Sequence, residues 1–315
     1  MNTSEATSRN IIAVPFAFDE KMNTGANIQK ETAFKAYLQG ICVAAASAKA
    51  HNPKCTVAVI TNLSEDMIPK EYREALRLHG VEIIIKPYDR FRFPADYKWS
   101  LAFYKICALS YLIETNYDNI CYFDADVFVQ GSLDNAWKDS SNNLLLFDTK
   151  HGKKPVEDPF AKEIKDFLKV DNTDGFKHYG GEFFMANNAD AKQFVAYAQD
   201  VYKRMIDSGF RTVRGDEFIL CLAGKQMEER IQYAGDYIRR YWTSYNYRMI
   251  NDTYKTVAIL HLPDEKMFGL PYLYEKYIKS GQMPEASVVW KKCRLTGMPF
   301  GDKLRKLRTD LMKRK

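Results

Sequence analysis

Short apolar runs alternate with longer amphipathic stretches through the first half of the chain. Residues 11–14, 56–60, 81–85 and 119–123 are largely apolar and too short for helices, so each reads as a strand covered on both faces. Residues 31–50, 69–79 and 101–114 carry helical spacing, and Gly80 follows the second of these stretches where a helix stop belongs. Strands separated by helices predict an α/β fold, a Rossmann-like, mostly parallel sheet flanked by helices. Such sheets bind their ligands at the carboxyl ends of the strands.

After Gly131 the pattern loosens. Polar loops at residues 150–159 and 172–177 precede an apolar-aromatic run, Phe183-Phe184-Met185. A further helix is expected over residues 190–206, and residues 257–260 form the last clear strand. From Lys266 onward the chain is rich in Tyr, Trp, Lys and Arg, which divides it into a main domain over residues 1–265 and an aromatic, basic appendage over residues 266–315. There is no internal repeat.

A chain of 315 residues that is 46% hydrophobic and 14% aromatic buries a large core, which excludes disorder. None of the six cysteines forms a CxxC pair and several sit inside apolar runs. They predict reduced, buried thiols, without a disulfide framework or a zinc site. Residues 1–10 are polar, without the order of a secretion signal, and no run reaches a spanning length. The expected location is cytoplasmic.

The formal charge of +6 is unevenly placed. Residues 301–315 hold seven basic residues against two acids, a net of +5, and leave +1 for the rest. Leu304, Leu307, Leu311 and Met312 recur there at helical spacing, a stripe with cations beside it. That pattern suits either an anionic membrane surface at the inner face or a solvated tail. A body this close to neutral, with no nucleic-acid motif, is not expected to bind nucleic acid.

The sharpest chemical signal is Cys121-Tyr122-Phe123-Asp124-Ala125-Asp126-Val127-Phe128-Val129. Two carboxylates one residue apart at the end of a buried strand need a positive partner. Mn²⁺ or Mg²⁺ is the natural one, since hard cations take oxygen ligands and keep positions open for substrate phosphates.

Three stretches carry a family resemblance: Trp99-Ser100-Leu101-Ala102-Phe103-Tyr104-Lys105-Ile106, Asn116-Tyr117-Asp118-Asn119 leading into Asp124-Ala125-Asp126, and Val129-Gln130-Gly131-Ser132-Leu133-Asp134. Together they resemble the signature of family 8 glycosyltransferases, the glycogenin-like and bacterial galactosyltransferase-like enzymes of GT-A fold. The resemblance implies a retaining, metal-dependent transferase that moves a hexose from a UDP-sugar to a glycan, lipid-linked or protein acceptor, often in lipopolysaccharide or other surface polysaccharide synthesis. The resemblance spans roughly residues 11–268, which makes the main domain over residues 1–265 the catalytic one, and it implies that Lys105 contacts the donor.

By the same resemblance, His261 in Ile259-Leu260-His261-Leu262 is the third metal ligand beside Asp124 and Asp126. Lys266 stands one residue short of the place of the family's diphosphate-binding lysine, and the family's following Gly and Lys-Pro-Trp are absent. Asp216 and Glu217, in Gly215-Asp216-Glu217, take the place of the family's Asp-Gln pair. The glutamate is similar to that of blood-group-type retaining transferases, where it lies beneath the anomeric carbon, so Glu217 is expected as nucleophile or ion-pair stabiliser. The segment Tyr179-Gly180-Gly181-Glu182 resembles the same group, and Glu182 joins Asp216 as a candidate for holding sugar hydroxyls. Trp242-Thr243-Ser244-Tyr245-Asn246-Tyr247 resembles a family segment lining the site.

Two other readings fit part of this pattern. Asp124 and Asp126 satisfy the Asp-x-Asp of haloacid-dehalogenase-like phosphatases, although three strand-helix units precede it and Gly235-Asp236-Tyr237-Ile238-Arg239-Arg240 supplies no second acidic pair. A non-catalytic carbohydrate- or anion-binding protein is the other.

Overall fold

The computed structural model describes residues 8–19, 30–150, 159–244, 250–297 and 301. Strand β1 (Asn10–Phe16) is flanked on one side by β2 (Thr56–Thr61) and then β3 (Glu82–Ile85), and on the other by β4 (Asn119–Phe123), all parallel. Strand β7 (Tyr179–Asn187) runs antiparallel between β4 and β6 (Leu144–Asp148), and β8 (Ile231–Tyr233) closes the sheet parallel to β6. The order is β3-β2-β1-β4-β7-β6-β8, a mostly parallel sheet with one reversed strand.

Both faces of the sheet are covered at β1, β2, β4 and β7, which explains why these strands read as continuous apolar runs; β3, expected to be covered likewise, is an edge strand with Glu82 and Ile85 exposed. Side chains alternate across β1. Ile12 and Val14 join Leu38 and Ile41 of α1 (Lys30–His51) in one core cluster, and Ile11 and Ala13 join Ile106 and Leu109 of α3 (Tyr104–Leu112) in the other. Each such buried Ile, Leu or Val side chain contributes about 1.5–3 kcal/mol. The flanking layers are completed by α2 (Lys70–Leu78), α4 (Asp134–Ser140), α5 (Pro159–Leu168), α6 (Asn188–Ser208) and α7 (Asp216–Gln226). The helix expected over residues 101–114 opens instead as a 3₁₀ turn, Ser100–Phe103, before α3 begins.

A smaller sheet of three short strands crosses the end of the first. Strand β10 (Ile259–His261) lies between β5 (Val127–Val129), to which it is antiparallel, and β9 (Ile238–Arg240), to which it is parallel. The last strand therefore lies slightly later than residues 257–260, because the Val257 carbonyl is taken by the Gln130 side chain at 2.8 Å. The shift brings His261 into the strand, with Val127 and Arg240 as its register partners.

Helices α8 (Gly269–Lys276) and α9 (Ala286–Lys292) follow. Leu270, Leu273, Tyr274 and Val289 bury themselves in the same cluster as α1, so residues 266–297 share the core of the preceding chain. Of the basic tail, residues 302–315 lie outside the described residues. Among the described residues no helix is long and apolar enough to cross a membrane.

Candidate active site

Strand β4 ends at Phe123, and Asp124, Ala125 and Asp126 form the turn that leads into β5. Backbone bonds hold this turn on two sides. Asp124 N donates to Glu182 O of β7 at 3.2 Å, and Leu262 N donates to Asp126 O at 2.9 Å. Helix α1 passes over the same turn at Gly40, where an added Cβ would stand 2.7 Å from the Ala125 carbonyl oxygen. Only glycine permits that approach.

The turn brings Asp124 and Asp126 to His261, and the ligand atoms of the three lie within 4.8 Å of one another. His261 Nε2 is 3.4 Å from Asp126 Oδ2 and 3.9 Å from Asp124 Oδ2. Carboxylate oxygens with one imidazole nitrogen are a fitting donor set for a hard or borderline divalent cation. Lysines flank the set. Lys105 Nζ sits 2.9 Å from Asp124 Oδ1 and 2.9 Å from Asp216 Oδ2, and Lys266 Nζ sits 2.8 Å from Asp126 Oδ2.

Behind His261 lies a second charged layer. Glu182, fully buried, is 3.5 Å from His261 Nδ1 and takes two bonds from Arg240, at 2.8 and 2.6 Å. Arg240 also reaches Glu217 Oε1 at 3.2 Å, and His178 Nε2 is 2.8 Å from Glu217 Oε2. Asp124, Asp126, Glu182, Asp216 and Glu217 thus pair with Lys105, Arg240 and Lys266 as permanent cations.

Protonation follows from this packing. Burial opposes ionisation of Asp126, yet Lys266 and His261 outweigh it and hold the carboxyl well below the usual range. For His261, burial pulls downward, and Asp126 with Glu182 overcomes it to raise the imidazole to about 9. Glu182 and Glu217 are both held low despite burial, the first chiefly by Arg240 and the second by His178 and Arg240.

Asp216 goes the other way. Burial outweighs the pull of Lys105 and, with Asp124 and Glu217 nearby, lifts it to about 6 from 3.8. An acid whose value is higher folded than unfolded holds its proton more tightly in the native state, so the fold loses stability as pH rises from about 4 to about 6. Asp216→Asn removes that loss. Its unfolding free energy is expected to gain on wild type by about 1–3 kcal/mol between pH 4 and pH 7, measured by urea unfolding at both, and parallel curves would refute it.

A cavity of about 490 Å³ opens above these groups, lined by Lys105, Asp124, Asp126, Asp216, Glu217, His261 and Lys266. Seven of the eight residues expected from the sequence therefore meet in one place. Glu182 is the exception, since it lies beneath the lining with its carboxylate committed to Arg240 and His261. Gly181 makes room for this crowding, as a Cβ there would stand 2.2 Å from Asp216 Oδ2 and 2.7 Å from Lys105 Nζ.

The sequence reading passed over Arg240 and His178. Arg240 is one of two adjacent arginines, and strand alternation alone separates them: Arg239 bonds to the Tyr233 hydroxyl at 2.9 Å while Arg240 faces the cavity. His178 precedes β7 with no motif around it. Trp242 does line the cavity, and Tyr245 to Tyr247 of its segment lie outside the described residues.

Residues 32–171 match the model of glycosyl transferase family 8. Lys105, Asp124 and Asp126 fall inside this segment, and the other site residues lie beyond it. Among solved structures, the fold is similar to galactosyltransferase LgtC in complex with donor and acceptor sugar analogues. The two share 18% identity at a TM-score of 0.55, over 90% of this chain and 99% of that one. No curated protein sequence matches this chain. These likenesses favour the transferase reading over the phosphatase one, and three parallel strands do precede the strand that ends in the Asp-x-Asp turn. With residues 32–171 matching the family 8 model and a fold similar to that of LgtC along most of its length, this chain is a glycosyltransferase of GT-A fold that resembles family 8.

Proposed function

We propose that this glycosyltransferase moves a hexose from a UDP-sugar to a glycan, lipid-linked or protein acceptor, with retention of anomeric configuration and dependence on Mn²⁺ or Mg²⁺. The setting is assembly of lipopolysaccharide or other surface polysaccharide. One observation carries the reading: Asp124, Asp126 and His261 converge in a cavity that also holds Lys105 and Lys266. Two carboxylates and an imidazole would hold the cation, and two lysines beside them suit a diphosphate rather than a neutral ligand.

When bound, the cation supplies Lewis-acid stabilisation to the departing nucleoside diphosphate. Lys105 and Lys266 add fixed positive charge on either side of that leaving group. Glu182, expected at the sugar, acts from below by orienting His261. Asp216 holds donor hydroxyls, and Glu217 lies at the reactive face of the sugar, where its negative charge stabilises positive charge growing on the anomeric carbon. Trp99, Val213 and Trp242 give the cavity an apolar wall for the acceptor sugar, and Val213 is 65% exposed there.

The test is a screen of nucleotide sugars with Mn²⁺, beginning with UDP-galactose because the structurally similar LgtC is a galactosyltransferase. Thermal stabilisation of about 3 kcal/mol at a hundredfold excess over Kd is expected for one UDP-hexose, with turnover on adding acceptor. Indifference to every nucleotide sugar would end the reading.

Residue 265 is proposed as a functional boundary rather than a folding one, with residues 266–315 meeting the acceptor or an anionic membrane surface. The charge of residues 301–315 supports this. Deleting 301–315 is expected to abolish sedimentation with anionic liposomes while donor hydrolysis persists, and unchanged sedimentation would exclude the membrane role.

A further inference from the structure

We infer that Arg240 is the positioning residue of the reaction centre, fixing the Glu217 carboxylate in one orientation at the floor of the cavity. The inference rests on the transferase reading above and assigns a part to a residue that carries no family signature.

The geometry is that of a two-sided clamp. Arg240 reaches Glu217 Oε1 at 3.2 Å from β9, and His178 Nε2 stands 2.8 Å from Oε2 on the other side. Each arm is itself immobilised. The guanidinium spends Nε and Nη2 on the two oxygens of Glu182, at 2.8 and 2.6 Å, and Glu182 is 0% exposed. The imidazole stacks on Phe160 of α5, with ring centroids 4.6 Å apart and planes at 20°. A planar fork can serve two carboxylates at once, which an ammonium cannot do with the same geometry.

The charged groups facing Glu217 are His178 and Glu182 from the β7 side, Arg240 from β9 and its neighbour Asp216, which Lys105 of α3 neutralises. Of these, Arg240 is the permanent cation in contact. It therefore keeps the carboxylate ionised and stops it from swinging toward the lysines at the diphosphate end. The benefit is realised only where charge develops in the transition state, so it enters kcat rather than donor affinity.

The test uses the full chain with Mn²⁺ and the UDP-sugar that the screen identifies. Arg240→Met alone would orphan the buried Glu182, so it is paired with Glu182→Gln and compared with Glu182→Gln alone, and Arg240→Lys is made alongside. Relative to Glu182→Gln alone, the double variant's kcat is expected to fall about 30- to 300-fold with donor KM within about threefold. On the same comparison the acid limb of the kcat profile should move up by about one pH unit or more, as Glu217 loses its cation. Arg240→Lys should recover the limb but only part of the rate.

A folded double variant with the kcat and the acid limb of Glu182→Gln alone would overturn the assignment. So would a loss of rate explained wholly by a lower folded fraction, because a structural role leaves the pH limb in place. If the wild-type protein turns over no nucleotide sugar, the transferase reading fails and takes this assignment with it. Wild-type turnover with an indifferent Arg240 overturns the clamp alone.

Discussion

Asp126→Ala is expected to abolish sugar transfer, by on the order of 10³-fold or more, and to remove metal-dependent donor binding in the same step. The argument is electrostatic before it is catalytic. Asp126 is 2% exposed, and its Oδ2 is the shared focus of Lys266 at 2.8 Å and His261 at 3.4 Å. Without it a divalent cation loses one of three candidate ligands and meets two positively charged side chains instead. Deleting one member of a buried ionic group costs about 3–5 kcal/mol of stability, so Asp126→Asn serves as the companion variant that keeps the shape. Calorimetric titration with Mn²⁺ and donor, on protein confirmed folded by circular dichroism, separates the two losses. An active Asp126→Ala enzyme would contradict the metal assignment.

The second large effect is expected at Glu217. Glu217→Gln keeps the side chain's size and retains an oxygen for Arg240 while its amide nitrogen turns to His178, whose Nε2 can accept in the other tautomer, and Arg240 still has Glu182 as a full ion pair. The fold should therefore survive. What disappears is the negative charge facing the anomeric carbon, and kcat should drop by on the order of 10²- to 10³-fold with donor KM changed only a few-fold. Saturation kinetics measure this, and the anomeric configuration of residual product is read by proton NMR. Undiminished transfer would remove Glu217 from the reaction.

The sheet was legible because its strands are covered on both faces. Residues such as Ile11 to Val14 are apolar without interruption, and nothing but a buried strand accounts for so short a run. The Asp124–Asp126 turn was legible for a related reason, since acids at the end of such a strand stand out against their surroundings. The small sheet was harder to read. Strands β5, β9 and β10 are three residues each, too short for alternation to register, and pairing partners about 130 residues apart leave no local trace. Arg240 was missed because its importance is conferred by Glu182 and Glu217, which reach it only through tertiary structure.

The separateness read into residues 266–297 had a similar origin. Their Tyr, Trp, Lys and Arg content resembles a surface segment, yet Leu270, Leu273 and Tyr274 recur at helical spacing and insert beside α1. Composition averaged over the segment hid that stripe.

His261 is clasped between Val127 on one neighbouring strand and Arg240 on the other, so β10 is the last piece inserted into the small sheet. During synthesis, a nascent chain that has emerged as far as residue 240 already contains every described strand of the large sheet, but the candidate metal site still lacks its imidazole. On the proposed reading, ion capture waits until residue 261 has been made and β10 has docked. A product terminated before residue 261 is then expected to contain the strands of the large sheet and to lack the third candidate ligand.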